Sequence, residues 1–317
     1  MMRRLLALAW LAWVLPAQAV AGQSFANCGE TWRVSQPPRR ILALNQHAAD
    51  LLLALDAGPA LLGVAYIDDD PQALASRRYH GVPLVAARYP TAEALYALQP
   101  DLVVGGFASA FGQGLLARRT LAEQGIGSYL LDAACARRAD QYFTGIETDL
   151  RTLGALLGRE ALAERLIRQQ AGRLAEAKRL ARLPRRPTVF YLDSVSHGLD
   201  SEGGRGFVDE LLRAAGATHL FGDLPLGRTA VSRETLLLRD PDVLLLADAV
   251  WSPAADKIAY LQDDPTLSTL RAVRNACWVR MPFSHLVPSV DSARAVEALA
   301  RQLAALERCL APPRPAP

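Results

Sequence analysis

The chain of 317 residues is 51% hydrophobic and 21% charged, ordinary globular usage that excludes disordered, collagen-like and coiled-coil classes. At roughly 150 residues per domain this length predicts about two domains. Lys plus Arg number 35 against 32 Asp plus Glu, a formal charge of +3, too small a surplus for a nucleic-acid footprint.

The first element reads as an address. Met1 to Ala19 combines Arg3 and Arg4, an apolar run from Leu5 to Leu15, Pro16 and the small-x-small triplet Ala17-Gln18-Ala19, the pattern of a secretory signal. The run falls well short of the roughly 20 residues a membrane-spanning helix needs. Residues 1–21 are therefore expected to be a signal peptide, cleaved near Ala19 or Ala21, and the remainder a soluble exported protein. Cys28 follows Phe25-Ala26-Asn27, too late to be a lipid-anchored cysteine at the cleavage point.

Short apolar runs then alternate with helical segments, the signature of parallel α/β layers. In the first half the strands are Ile41 to Leu44, Leu61 to Ala65, Leu102 to Gly105 and Ser128 to Leu131, with helices at Ala48 to Leu55, Thr91 to Leu98 and Leu115 to Gln124. Residues 140–184 have apolar positions Leu150, Leu153, Leu156 and Leu157 at helical spacing, continued by Leu162, Leu166 and Leu174, and predict a helical connector that resists large lobe closure. The second half restarts with strands at Thr188 to Leu192, Val243 to Leu246 and Cys277 to Met281. Its helices are Phe207 to Ala215, Arg233 to Leu238 and a closing one near Ser292 to Cys309.

An internal repeat links the halves. Glu93 is followed by Pro100-Asp101 and Leu102-Val103-Val104; Glu234 is followed at the same spacing by Pro241-Asp242 and Val243-Leu244-Leu245. Asp50-Leu51-Leu52 with Gly58 is echoed by Glu210-Leu211-Leu212 with Gly216. Two matches in the same order predict pseudo-symmetric lobes. The fold class expected is α/β, with two Rossmann-like lobes joined by a long connector helix and a ligand cleft between them. The lobes are 22–139 and 185–311, with a Pro-rich tail at 312–317.

Export places the four cysteines in an oxidising compartment, where they allow three pairings. A helix returning antiparallel along the last strand would bring Cys309 beside Cys277, leaving Cys28 with Cys135; four reduced thiols are the alternative, and connectivity stays open. No two cysteines have metal-ligand spacing.

Ligands of parallel α/β lobes meet the loops at the carboxyl ends of the strands. The candidates there are Asn45, His47, Tyr66, Arg88, Tyr89 and Phe107 in the first half. In the second they are Ser194, Arg205, Arg228, Trp251 and His285, with Phe283 beside the last. The set is aromatic and cationic. Arg88, Arg205 and Arg228 suit an anion through their planar forks. No G-x-S-x-G elbow, P-loop, G-x-G-x-x-G or H-E-x-x-H occurs. Asp193, Ser194 and His197 have triad composition but crowd one loop, against convergence as a catalytic unit. A secreted α/β hydrolase remains a rival from another class. His47, His197 and His285 admit a bare-metal receptor, and they or Tyr66 or Tyr89 a heme receptor.

Taken in order, Pro37-Pro38-Arg39-Arg40-Ile41, the helix from Asp50 to Gly58, Glu93 through Val104, the connector, Gly203-Gly204-Arg205-Gly206-Phe207, Val231-Ser232-Arg233-Glu234 and Ala272-Val273-Arg274-Asn275 resemble the class III periplasmic substrate-binding proteins of ABC importers, which carry ferric siderophores, cobalamin or heme. The resemblance runs from about Cys28 to Leu310. It implies a monomeric periplasmic receptor, not an enzyme, with no resident cofactor or metal, no nucleic-acid partner, and a permease dimer as partner. By the same resemblance Glu93 and Glu234 match the docking acids, one on each lobe. Cobalamin carriers of this kind have tryptophans where this chain has Ala87-Arg88-Tyr89, Gly105-Gly106-Phe107 and Leu226-Gly227-Arg228. The arginines favour an anionic ferric chelate, a ferric siderophore, over cobalamin, a related corrinoid or heme.

Overall fold

The computed structural model describes residues 22–67, 78–112, 116–136, 141–183, 185–196, 198–306 and 309. The leader expected over 1–21, the tail 312–317, His197 and the connector's bounding residues 140 and 184 lie outside them. In chain order come β1 (Gln23–Asn27), β2 (Glu30–Val34), β3 (Ile41–Leu44), α1 (Gln46–Ala54), β4 (Leu61–Ala65), β5 (Leu84–Ala86), α2 (Ala92–Leu98), β6 (Leu102–Gly105), α3 (Arg118–Glu123) and β7 (Gly127–Leu130). The helices α4 (Tyr142–Leu156) and α5 (Glu160–Leu180) lead to β8 (Thr188–Leu192), β9 (Leu199–Glu202), α6 (Phe207–Ala214), β10 (Thr218–His219), β11 (Arg228–Val231) and α7 (Arg233–Arg239). Then follow β12 (Val243–Asp248), α8 (Ala254–Asp263), α9 (Arg271–Arg274), β13 (Trp278–Pro282) and α10 (Ser292–Ala305).

Two parallel sheets form the lobes, one in the order β5-β4-β3-β6-β7 and one in the order β10-β8-β12-β13. Their strands read as unbroken apolar runs because both faces are covered. In β3, Ile41 and Ala43 enter an apolar layer with Leu51 of α1 and Leu150 of α4, while Leu42 and Leu44 enter another with Leu95 of α2 and Leu121 of α3, the period-two alternation of a strand. The second lobe has its own core around Phe190, Leu211, Leu245 and Leu299. Half-buried Phe143 packs against both.

The repeat seen in the sequence is structural. Thr91 caps α2 by accepting from Ala94 N, and Ser232 caps α7 by accepting from Thr235 N. Gln99 and Asp240 end these helices in the left-handed region, at φ 48° and 34°. The aspartate after each proline then binds the start of the neighbouring central strand: Asp101 accepts from Arg39 N and Arg40 N, and Asp242 from Thr188 N.

The connector is a helix pair. It breaks at Gly158, whose φ of 63° a side chain would resist. Helix α4 lies on the first sheet, and the 21-residue α5 serves both cores, with Ala163 and Ile167 in the first and Ala177 in the second. Further bonds cross between the lobes: Arg78 Nη2 to Asp291 Oδ2 at 3.2 Å, Tyr142 N to Glu210 Oε2 at 2.7 Å, and Tyr142 Oη to the Arg205 carbonyl at 2.9 Å. Disulfides Cys28–Cys135 and Cys277–Cys309 close one bridge in each lobe, with Cα–Cα distances of 5.0 and 5.8 Å. Among the described residues no helix is long and apolar enough to cross a membrane.

Buried carboxyls make this fold pH-sensitive. Asp149 on α4 accepts from Tyr129 Oη at 2.8 Å and Asp132 N at 3.0 Å, yet burial pushes its carboxyl up to about 8. Its folded value exceeds its unfolded one, so the stability tied to the protonated form is complete in acid and lost as pH rises through about 8. The melting temperature is therefore expected to fall by a few degrees between pH 6 and pH 8 and to level off above that, and Asp149→Asn to flatten most of the fall. Thermal unfolding monitored by circular dichroism checks this; an unchanged slope in the variant would contradict it.

Candidate functional site

The carboxyl ends of β3, β4, β6 and β12 and the loop after β13 meet at the cleft. Two backbone positions there are held in the left-handed region, Asn45 at φ 86° and Tyr66 at φ 52°; such conformations persist where surrounding contacts enforce them. Asn45 is fully buried. Its Oδ1 accepts from Gly106 N and Phe107 N at 3.1 and 3.2 Å, and its Nδ2 donates to Tyr89 Oη at 3.0 Å. One amide thus fixes the end of β3 to the loop after β6 and aims the wall residues. Tyr89 also bonds Ser109 Oγ at 2.8 Å and packs edge-on to Tyr66, ring centres 5.0 Å apart.

The outer chamber, about 520 Å³, is walled by Tyr66, Arg88 and Phe107 from the first lobe and by Val250, Trp251 and Phe283 from the second. Trp251 is 54% exposed and stands edge-on to Phe283 at 5.4 Å. The Arg88 guanidinium lies 5.8 Å from the Tyr66 ring centre and has no acidic partner among the described residues. The Tyr66 hydroxyl likewise has no hydrogen-bond partner among them.

The inner chamber, about 290 Å³, shares Phe107 and Phe283 with the outer one and adds His47, Tyr142, Tyr191, Glu202 and Arg228. His47 packs edge-on to Phe107 at 4.5 Å, and burial pulls its imidazole down to about 4, so it is neutral near pH 7. A Cβ on Gly106 would fall 2.2 Å from His47 Nε2; the ring needs glycine there. Arg228 donates to Asp193 Oδ2 at 2.6 Å, and Tyr191 Oη donates to Asp193 Oδ1 at 3.0 Å. Glu202 Oε2 accepts from Val208 N at 2.9 Å, and burial pushes its carboxyl up to about 7.

The structure sorts the sequence candidates. Tyr66, Arg88, Phe107 and Trp251 meet in the outer chamber, and His47 and Arg228 in the inner one. Asn45 and Tyr89 stand behind the wall. Ser194 Oγ bonds Asp200 and Ser196, and it lies outside both linings. Arg205 is exposed outside both linings, and half-buried His285 sits in the turn Phe283–His285, also outside them. Of the three arginines expected to suit an anion, Arg88 lines the outer chamber, Arg228 lines the inner one paired with Asp193, and Arg205 lies outside both linings. Glu202, Tyr191 and Tyr142 were not anticipated; a lone acid just before Gly203-Gly204-Arg205-Gly206 was the available signal for the first. Among the described residues no three His, Cys, Asp or Glu side chains could hold a metal ion. Glu93 and Glu234 are exposed in the first turns of α2 and α7.

The family model for periplasmic binding proteins matches residues 41–284. No curated protein sequence matches the chain. Among solved structures, a periplasmic binding protein from Veillonella parvula is 19% identical, with a TM-score of 0.78 over 90% of this chain and 98% of its own. An ABC-type Fe3+-hydroxamate transport protein from Saccharomonospora viridis is 24% identical, with a TM-score of 0.72 over 89% and 98%. A periplasmic heme binding protein from Pseudomonas aeruginosa is 25% identical, with a TM-score of 0.65 over 83% and 91%.

Proposed function

The chain belongs to the periplasmic binding protein family, and from that premise we propose that it captures a ferric siderophore in the inter-lobe cleft and delivers it to an inner-membrane ABC importer. In this reading residues 1–21 direct export, Glu93 and Glu234 engage the two permease subunits, and no bond of the cargo is broken. The observation that carries the ligand class is Arg88, a cation without a counter-charge among the described residues, in a chamber walled by four aromatic rings. The oxygen donors around a chelated ferric ion are electron-rich and match a guanidinium fork, while the rings cover the ligand's apolar flanks. The Fe3+-hydroxamate relative supports the same class.

Trp251 supplies the readout. Titration of its fluorescence with ferric hydroxamates, ferric catecholates, hemin and cobalamin should show saturation by a ferric siderophore; saturation by cobalamin alone would overturn the iron assignment. Arg88→Ala should weaken the siderophore by about tenfold or more, the worth of a charge-assisted hydrogen bond.

A second reading rests on Tyr66, whose hydroxyl faces no partner among the described residues. Tyrosine can ligate heme iron, and one relative is a heme binder. Under this reading hemin gives a Soret band that Tyr66→Phe shifts or abolishes, and ferric siderophores do not compete.

A further inference from the structure

The two chambers differ in charge. In the outer one Arg88 is the single charged side chain among the described residues that wall it. In the inner one two acids share a single arginine: Arg228 bonds Asp193 at 2.6 Å and faces Glu202 across the β9–β11 pair without bonding it. Of the two Glu202 oxygens, Oε2 is held by Val208 N. Oε1 has no partner among the described residues and keeps some accessibility, on a residue that lines the inner chamber. Among the described residues the cleft thus carries a cation at Arg88 and, in the inner chamber, the Glu202 carboxyl beside the Arg228–Asp193 pair.

We propose that Glu202 determines specificity in the inner chamber by receiving a cationic arm, a primary ammonium, of the ferric chelate whose oxygen cage lies against Arg88. This deepens the siderophore reading and rests on it. A carboxylate in a partly enclosed chamber gains most from a partner that brings both a positive charge and N–H donors. An acylated arm brings neither the charge nor the full set of donors.

The groups around this carboxylate are Val208 N on α6, Arg228 on β11, Asp193 and Tyr191 at the end of β8, and, across the chamber, Tyr142 on α4 and neutral His47 on α1. Burial holds the Glu202 carboxyl at about 7.

The probes are the ferric complex of desferrioxamine B, a linear trihydroxamate ending in an ammonium, and its N-acetylated form. The protein is expected to bind the ammonium form about tenfold more tightly at pH 8. That preference should fade as the solution is taken to pH 6. Glu202→Gln, which keeps an oxygen for Val208 N, should erase the preference, so that the two complexes bind alike. Equal binding of both complexes by the unmodified protein would overturn the role of Glu202 while leaving siderophore capture standing. Binding of neither, with hemin or cobalamin saturating instead, would overturn the siderophore reading itself. If Glu202→Gln lost affinity for both complexes equally, the carboxylate would be a wall support rather than a selector.

Discussion

Replacing Glu93 and Glu234 together by lysine should reduce ligand uptake by about a hundredfold or more while leaving ligand affinity unchanged. Each acid is exposed in the first turn of a short helix, and the two helices share the same cap, the same left-handed end and the same following strand. Equal charges placed by a pseudo-symmetric scaffold suit a partner with two equivalent subunits, where they fix orientation. Across such an interface a reversed charge costs about 2 kcal/mol or more, and every 1.4 kcal/mol is about tenfold. Either single change should therefore show a partial loss. Uptake into vesicles carrying the importer, set against fluorescence titration of the free protein, makes the separation. A loss of affinity in the double variant would place the acids in the ligand's path and contradict the docking role.

Removing the Cys28–Cys135 bridge is expected to be the most damaging change to stability. It spans 107 residues, against 32 for Cys277–Cys309, and loop-closure entropy assigns about 5 kcal/mol to the longer and about 4 kcal/mol to the shorter. The longer bridge also fastens the β1–β2 hairpin. Asn27 beside it donates to the Leu130 carbonyl at 2.9 Å and accepts from Leu130 N at 3.0 Å, so a side-chain amide acts as a strand edge for β7. Cys28→Ser with Cys135→Ser should loosen that dock and lower the denaturant midpoint more than Cys277→Ser with Cys309→Ser. Equal midpoints for the two double variants would refute the ranking.

The parts of this fold that could be read from sequence are those buried on both faces. Ile41–Leu44, Leu61–Ala65, Leu102–Gly105 and Thr188–Leu192 are strands at the very residues their apolar runs predict. The hairpin β1–β2 and the antiparallel pair β9–β11 were not legible, because they are half-exposed and polar; Arg228–Val231 pairs with Leu199–Glu202 only once tertiary folding brings them together. Helix α8 was missed for a different reason. Its Lys257 is buried, donating to the carbonyls of Ala247 and Ser252, and a lysine within the inward stripe breaks the apolar pattern. At the site, loop position after a strand found the aromatic wall and Arg88. It could not tell that Asp193 would claim Arg228, since that pairing depends on how β8 and β11 approach.

The ties between the lobes have a mechanical consequence. Arg78 is held at once by Asp50 of α1 and Asp291 ahead of α10, Tyr142 bonds to Glu210 and Arg205, and α5 is embedded in both cores. Swinging the halves widely apart would tear several of these at once, so the two lobes behave as nearly one stiff body and the width of the groove between them is set before any ligand arrives.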